Sequence, residues 1–205
     1  MKLYCHPASH NVRRVLALIQ HLSLEVEICE VDLFQGATRK PDYLAMNPFG
    51  GVPALQDGDF VLTESNAIMQ YLASQKPNSL WPEDLRLRAD ITRWQFWQTA
   101  QFGLACSGLL VEYLLKGMRG QEPDPAKVQE ALSRFNRAAG IMNTHLAKHD
   151  YLVGDQLTLA DLSIAADLTY ATVSRIPLET YPHIQRWYER ISALPAWQAT
   201  QPQNG

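Results

Sequence analysis

The first 33 residues, MKLYCHPASHNVRRVLALIQHLSLEVEICEVDL, decide the fold. Met1 to Cys5 is a short apolar segment that reads as a strand, and a loop containing Pro7 follows it. Val12, Val15, Leu16, Ile19 and Leu22 then recur at helical spacing, which predicts a helix from Asn11 to His21. Leu24 to Leu33 alternates, with Val26 and Ile28 on one face and a slip of phase before Val31 and Leu33, and reads as a second strand. A helix between two strands is a βαβ unit, which implies that the strands run parallel.

Outward from this unit, Thr38 to Met46 is polar and irregular, a loop with a short helix. Val52-Pro53-Ala54-Leu55 and Phe60-Val61-Leu62 flank Gln56-Asp57-Gly58-Asp59, and Asp-Gly between two β-prone runs predicts a hairpin. Ser65 to Ser74 follows as a helix carrying Ala67, Ile68, Tyr71 and Leu72. Gln75 to Pro82, with Lys76-Pro77-Asn78-Ser79 and Trp81-Pro82, reads as a linker. Helices account for the rest: Asp84 to Lys116, Pro125 to Lys148, one from Thr158, and Tyr181 to Ala193. The expected organisation is an α/β domain over residues 1–76, a linker over 77–85 and an all-helical domain over 86–205.

Composition narrows the function classes. A chain of 205 residues has room for two unequal domains with a large core. The net charge of -3 gives no reason to expect nucleic acid or an anionic membrane as a partner. No stretch approaches 18 uninterrupted apolar residues, and Met1-Lys2-Leu3-Tyr4 does not open a leader segment, so a cytoplasmic location is expected. Cys5, Cys29 and Cys106 are odd in number and scattered, which suits a reducing compartment and argues against a disulfide framework. No clustered His/Cys set points to a metal site.

The order β-α-β, loop, β-β, α resembles the thioredoxin fold. Where a thioredoxin-like redox protein carries Cys-x-x-Cys, this chain reads Ser9-His10-Asn11-Val12. Together with a helical second domain, the whole chain resembles the cytosolic glutathione transferases of the serine type, phi/theta-like or bacterial-type. Four stretches carry the resemblance: Tyr4 to Val15, Asn47 to Leu55, Leu62 to Ile68 with Tyr71-Leu72, and Leu157-Thr158-Leu159-Ala160-Asp161.

Ser9, just before the first helix, reads from local chemistry as an N-cap. The resemblance implies instead a hydroxyl donor to the glutathione sulfur. A thiol with a pKa near ~8.5 is only a few per cent thiolate at neutral pH, and the thiolate is the nucleophile. Lowering that pKa by ~2 units takes roughly 2.7 kcal/mol of differential stabilisation, within reach of a hydroxyl donor and a helix N-terminus together. Asn11 is a rival donor, or a helix cap. One of Arg13 and Arg14 is expected to contact the second domain and the other to face solvent, and Cys5 to be a small buried residue.

The resemblance further implies a cis Val52–Pro53 bond, with the Val52 backbone pairing the cysteinyl part of glutathione as an added strand would. Glu64 and Ser65 would receive the γ-glutamyl end at a helix N-terminus, Ser65 also being a good cap, and Lys40 would lie near the glycine carboxylate. Phe49 is expected at the interface of a homodimer. Phe102, Cys106, Leu109 and Tyr113 share a helical face by their spacing, and either line an apolar cleft for an electrophile or belong to the core. Thr158 and Asp161 form a Thr-x-x-Asp capping box, with Leu157 and Leu162 as its hydrophobic staple.

The implied activity is conjugation of glutathione, a co-substrate and not a permanently bound cofactor, to a small apolar electrophile. Reduction of peroxides or disulfides at the same site, and a non-catalytic binding or scaffold role, stay open as alternatives.

Overall fold

The computed structural model describes residues 1–202. Strand β1 (Lys2–Cys5) leads into helix α1 (His10–Leu22), and β2 (Glu27–Glu30) returns parallel to β1, with Lys2 opposite Glu27 and Cys5 opposite Glu30. A turn of 3₁₀-helix (Ala37–Arg39) and the short α2 (Pro41–Met46) fill the polar connection. Strands β3 (Ala54–Asp57) and β4 (Phe60–Thr63) form the hairpin, and α3 (Ser65–Ala73) follows. The sheet order is β2-β1-β3-β4, with β3 antiparallel to both its neighbours.

The hairpin loop is Gly58-Asp59, one residue beyond the Asp-Gly pair, because Asp57 still pairs with Phe60. Gly58 takes φ +62°, the conformation a two-residue loop requires at its first position when that residue is glycine. The second strand is shorter than the alternation predicts. It is an edge strand, and Ile28 is 49% exposed instead of facing the core. The charges of Glu27 and Glu30 suit such an edge, Glu27 pairing with Lys2 at 3.4 Å. Its buried anchor is Val31, whose N–H donates to the Cys5 carbonyl at 2.8 Å.

Helix α1 buries Val12, Val15, Ala17, Leu18 and Ile19 and packs against α3. It also packs against the short helix α9 near the end of the chain (Pro195–Gln198). By compactness the described residues therefore divide into Met1–Trp81 together with residues 194–202, and Pro82–Ala193, so residues 194–202 group with the first unit and not with the helical domain in which the sequence places them. Trp197 is the reason. Its ring lies 4.2 Å below the Arg13 guanidinium, and Arg13 Nη2 donates to the Trp197 carbonyl. Arg13 and Arg14 are 5% and 1% exposed, so neither faces solvent.

The helical unit starts with α4 (Leu85–Trp97), capped by Asp84, which accepts from the N–H groups of Arg86 and Leu87. It runs on through a π-helical segment (Gln98–Phe102), α5 (Gly103–Leu110) and a second π-helical segment (Val111–Leu115). Helices α6 (Pro125–Leu146), α7 (Leu159–Asp167) and α8 (Pro182–Ser192) complete it. No helix among the described residues is long and apolar enough to cross a membrane, and no group of three or more His, Cys, Asp or Glu residues among them is placed to hold a metal ion.

The Thr158–Asp161 box does more than cap α7. Asp161 is fully buried; its Oδ2 accepts from the N–H and hydroxyl of Thr158, and its Oδ1 from the Leu152 N–H and the Trp187 indole. Burial pushes the carboxyl above the ordinary range, and the Trp187 indole and the backbone donors pull it back. One carboxylate thus ties the loop before α7, its first turn and α8 together. Asp161→Ala should cost about 3 kcal/mol or more by stranding buried donors, and Asp161→Asn less. The shift in urea midpoint measures both, and equal, small shifts would deny Asp161 this role.

Candidate functional site

Register decides where the predicted residues meet. Tyr4 pairs with Ala54, and Ala54 pairs with Thr63. At this row β3 begins and β4 ends, and β1 ends one residue beyond it. The chain after Cys5, the chain before Ala54 and the chain after Thr63 therefore emerge at one end of the sheet, and so does the connection after β2, since Cys5 lies opposite Glu30. Ser9, Val52-Pro53 and Glu64-Ser65 leave the sheet on these connections, and the N-termini of α1 and α3 open there.

Ser9 occupies the N-cap position of α1 with extended backbone, φ -86° and ψ 120°, and its carbonyl accepts from the N–H groups of Val12 and Arg13. Its half-buried side chain makes no capping hydrogen bond. The position is that of a cap, and the hydroxyl is left for another partner. Asn11 lies inside the first turn and so is not the cap. No acidic residue occupies that turn. The helix dipole gives the N-terminus a partial positive charge that no carboxylate of the turn offsets.

Ser9 closes a tight turn. Its N–H donates to the His6 carbonyl at 3.0 Å, with Pro7 and Ala8 as the central residues. Proline suits the first of these because its ring presets φ. The buried His6 ring takes part, its Nδ1 accepting the Ala8 N–H at 3.2 Å, and Phe34 meets its edge with ring centroids 5.3 Å apart. Phe34 is placed by Asp32, whose Oδ1 accepts from the N–H groups of Phe34 and Gln35. The Gln35 N–H foremost holds the Asp32 carboxyl below the usual carboxylate range. Sequence reasoning misses both His6 and Asp32, although a His-Pro-x-Ser turn and an Asp with an amide two residues on are legible local signals.

The Val52–Pro53 peptide is cis. The loop before it is fixed by buried Asn47, whose Nδ2 donates to the Gly51 carbonyl at 2.8 Å while its Oδ1 accepts from the Phe49 N–H. The Tyr43 hydroxyl donates to the same Gly51 carbonyl at 2.6 Å. Gly50, at φ +62°, has no room for a side chain: a Cβ would lie 2.9 Å from Arg39 Nη1 and 3.0 Å from the Thr38 carbonyl. No backbone–backbone hydrogen bond among the described residues engages the N–H or C=O of Val52.

Glu64 sits at φ +68°, ψ 112°, a region L-residues rarely occupy, and it is exposed. It takes the N-cap position of α3, and Ser65 is the first helical residue, not the cap. No side chain caps this helix. Backbone strain of this kind costs of order 1–3 kcal/mol and collects at ligand clamps.

Other expected residues are scattered. Lys40 is exposed at the start of α2, and Phe49 is 81% exposed at the tip of its loop. Phe102 and Cys106 belong to the core. Phe102 is wholly buried, its ring stacked on Trp97 at 5.6 Å and tilted against Phe135 at 5.5 Å. Leu109 is equally buried, so the stripe packs the helical unit down to Tyr113, which is half-buried with the Arg175 guanidinium 4.6 Å over its ring. Cys5 is buried at the end of β1, and burial pushes its thiol up to about 11, which makes it a core residue and no nucleophile.

Comparison with known proteins covers the whole chain. Residues 1–74 match the family model for the glutathione S-transferase N-terminal domain, and residues 108–195 the one for the C-terminal domain. Glutathione S-transferase 3 of Zea mays is 39% identical, covering 98% of this chain and 92% of its own. A probable glutathione S-transferase, GSTF2, of Oryza sativa subsp. japonica is 37% identical over 97% and 94%. Among solved structures, glutathione transferase F7 from Populus trichocarpa superposes with a TM-score of 0.91 at 30% identity, covering 100% of this chain and 99% of that one. A glutathione S-transferase-I bound with lactoylglutathione gives 0.88 at 32% identity, over 98% and 97%.

The cysteines provide a test of site assignment. At pH 8 a chromogenic thiol reagent should modify half-buried Cys29 first, with Cys5 and Cys106 reacting only on denaturation. Rapid modification of Cys5 in the folded protein would contradict its placement.

Proposed function

The chain belongs to the glutathione S-transferase family, and we propose that it binds glutathione at the loop end of its four-stranded sheet and activates the thiol through the Ser9 hydroxyl. The observation that carries this is the Ser9 side chain: it stands in the cap position of α1 and makes no capping bond. A hydroxyl there donates to a sulfur lying over the helix N-terminus, and both the donor and the helix favour the thiolate over the thiol.

The tripeptide then has partners along the same end of the sheet. The N–H and C=O of Val52, which take part in no backbone ladder, pair with the cysteinyl residue. Ser65 and the uncapped N-terminus of α3 receive the γ-glutamyl carboxylate. Glu64 accepts from the ammonium group, and its positive φ is the cost of aiming its backbone and side chain there. Lys40 takes the glycine carboxylate. Asn11 stands on the first turn of α1 as an auxiliary donor to the sulfur.

The reaction supported best is conjugation. The thiolate attacks an electrophilic carbon of a small apolar molecule, the S–C bond forms as the leaving group departs or the acceptor takes up a proton, and the protein supplies thiolate and proximity. Tyr113 is the member of the expected electrophile stripe that the core does not consume. The protein acts as a homodimer in which Phe49 enters the partner, consistent with an 81% exposed aromatic held at a loop tip by the Asn47 bonds.

Ser9→Ala should raise the thiol pKa of bound glutathione by ~1–2 units, read from thiolate absorbance against pH, with affinity within a few-fold. The acid limb of the rate profile should move to higher pH by the same amount, because activity is lost as pH falls through the bound thiol's pKa. An unmoved titration removes Ser9 as activator. Glu64→Ala and Ser65→Ala should instead raise KM for glutathione roughly tenfold, leaving the thiol pKa in place. Phe49→Ser should shift sedimentation from dimer toward monomer, whereas an unchanged coefficient would put the interface elsewhere.

A further inference from the structure

We propose that His6 is the positioning residue for Ser9, holding the turn that aims the hydroxyl at the sulfur; this rests on the reading of Ser9 as the thiolate donor. Residues His6 to Ser9 form a turn in which His6 is both frame and clasp. Its carbonyl accepts the Ser9 N–H at 3.0 Å and its ring Nδ1 accepts the Ala8 N–H at 3.2 Å. The two consecutive amides that orient Ser9 are thus both bonded to one residue. Pro7, between His6 and Ala8, has no N–H to offer and fixes its own φ.

The ring interaction copies the geometry in which an Asn or Asp side chain accepts the amide two residues on. A histidine does this only through Nδ1, and only while Nδ1 carries no proton, so the neutral ring bears its proton on Nε2. The ring is buried, and Phe34 meets its edge at an interplanar angle of 80°. Phe34 is in turn held by the Asp32 carboxylate through its backbone N–H. The chain of contacts runs from the connection after β2, through the His6 ring, to the backbone of Ser9. It provides what a hydroxyl donor needs and cannot provide for itself, a fixed direction relative to the N-terminus of α1. A donor that swings by an ångström loses much of its effect on a neighbouring charge.

The pattern of substitutions tests this. In His6→Asn the amide Oδ1 falls near the place of Nδ1 and accepts the Ala8 N–H as an Asx turn does. In His6→Gln the acceptor is carried one bond further and the clasp is lost, though polarity and the ability to fill the space are kept. The bound-glutathione thiol pKa should stay within about 0.3 units of the parent in His6→Asn and rise by about one unit in His6→Gln and His6→Ala. The kcat at neutral pH should fall roughly tenfold in the latter two, with KM for glutathione within about twofold. A residue that only stabilised the fold would lower the melting temperature and leave the thiol pKa alone. If Ser9→Ala raises the thiol pKa and His6→Gln does not, or if His6→Asn and His6→Gln behave alike, the positioning role is overturned while the Ser9 reading stands. If Ser9→Ala is itself silent, the Ser9 reading falls and takes this proposal with it. Should His6→Ala fail to fold, the Asn and Gln pair distinguishes the same outcomes.

Discussion

The row Tyr4–Ala54–Thr63 across the sheet is the constraint on which the rest of the first unit depends. A strand period of two allows no intermediate register, since a slip of one residue would turn Leu3 and Leu55 from the core to the opposite face. Both are wholly buried, so the register is fixed by apolar burial. Fixing it also fixes function, because it makes β1 and β4 end, and β3 begin, at the same level. Two helix N-termini and a proline loop converge at that level because the strands they adjoin end or begin there.

What each arriving segment brings is set locally. Asn47 and Tyr43 both bond to the Gly51 carbonyl, so the loop enters β3 rigidly and leaves Phe49 outside. Gly50 is tolerated where any side chain would strike Arg39 or Thr38. His6 and Pro7 build the turn that delivers Ser9. Two departures from local rules stand together here: a cap-position serine that does not cap and a glutamate at positive φ. Sequences usually satisfy such preferences, and the places where they do not are where function competes with stability.

Much of this is legible in the sequence. Periodicity places α1, α3 and the helical second half, because their apolar faces are buried and the pattern records burial. The βαβ unit and the hairpin follow from strand spacing and the Asp57-Gly58 signal. The alternation overextends the second strand because Ile28 suggests a buried face, whereas an edge strand leaves it half exposed. The stripe from Phe102 to Leu109 is one face, as its spacing says, but spacing does not tell a core face from a cleft, and Phe102 stacks into the core. The place of Arg13 is hidden because a partner such as Trp197 leaves no trace at a separation of 184 residues. The roles of His6 and Asn47 are hydrogen-bond geometries within a few residues, at which the composition of a turn only hints.

In the proposed complex, glutathione lies along the loop end of the sheet with its sulfur at Ser9, and a crystal structure of the protein with glutathione bound is the decisive measurement. The sulfur should lie within hydrogen-bond reach of the Ser9 hydroxyl, the cysteinyl backbone should pair with Val52 and the γ-glutamyl carboxylate should sit at the N-terminus of α3. Glutathione bound elsewhere, or bound there with its sulfur turned away from the first turn of α1, would contradict it.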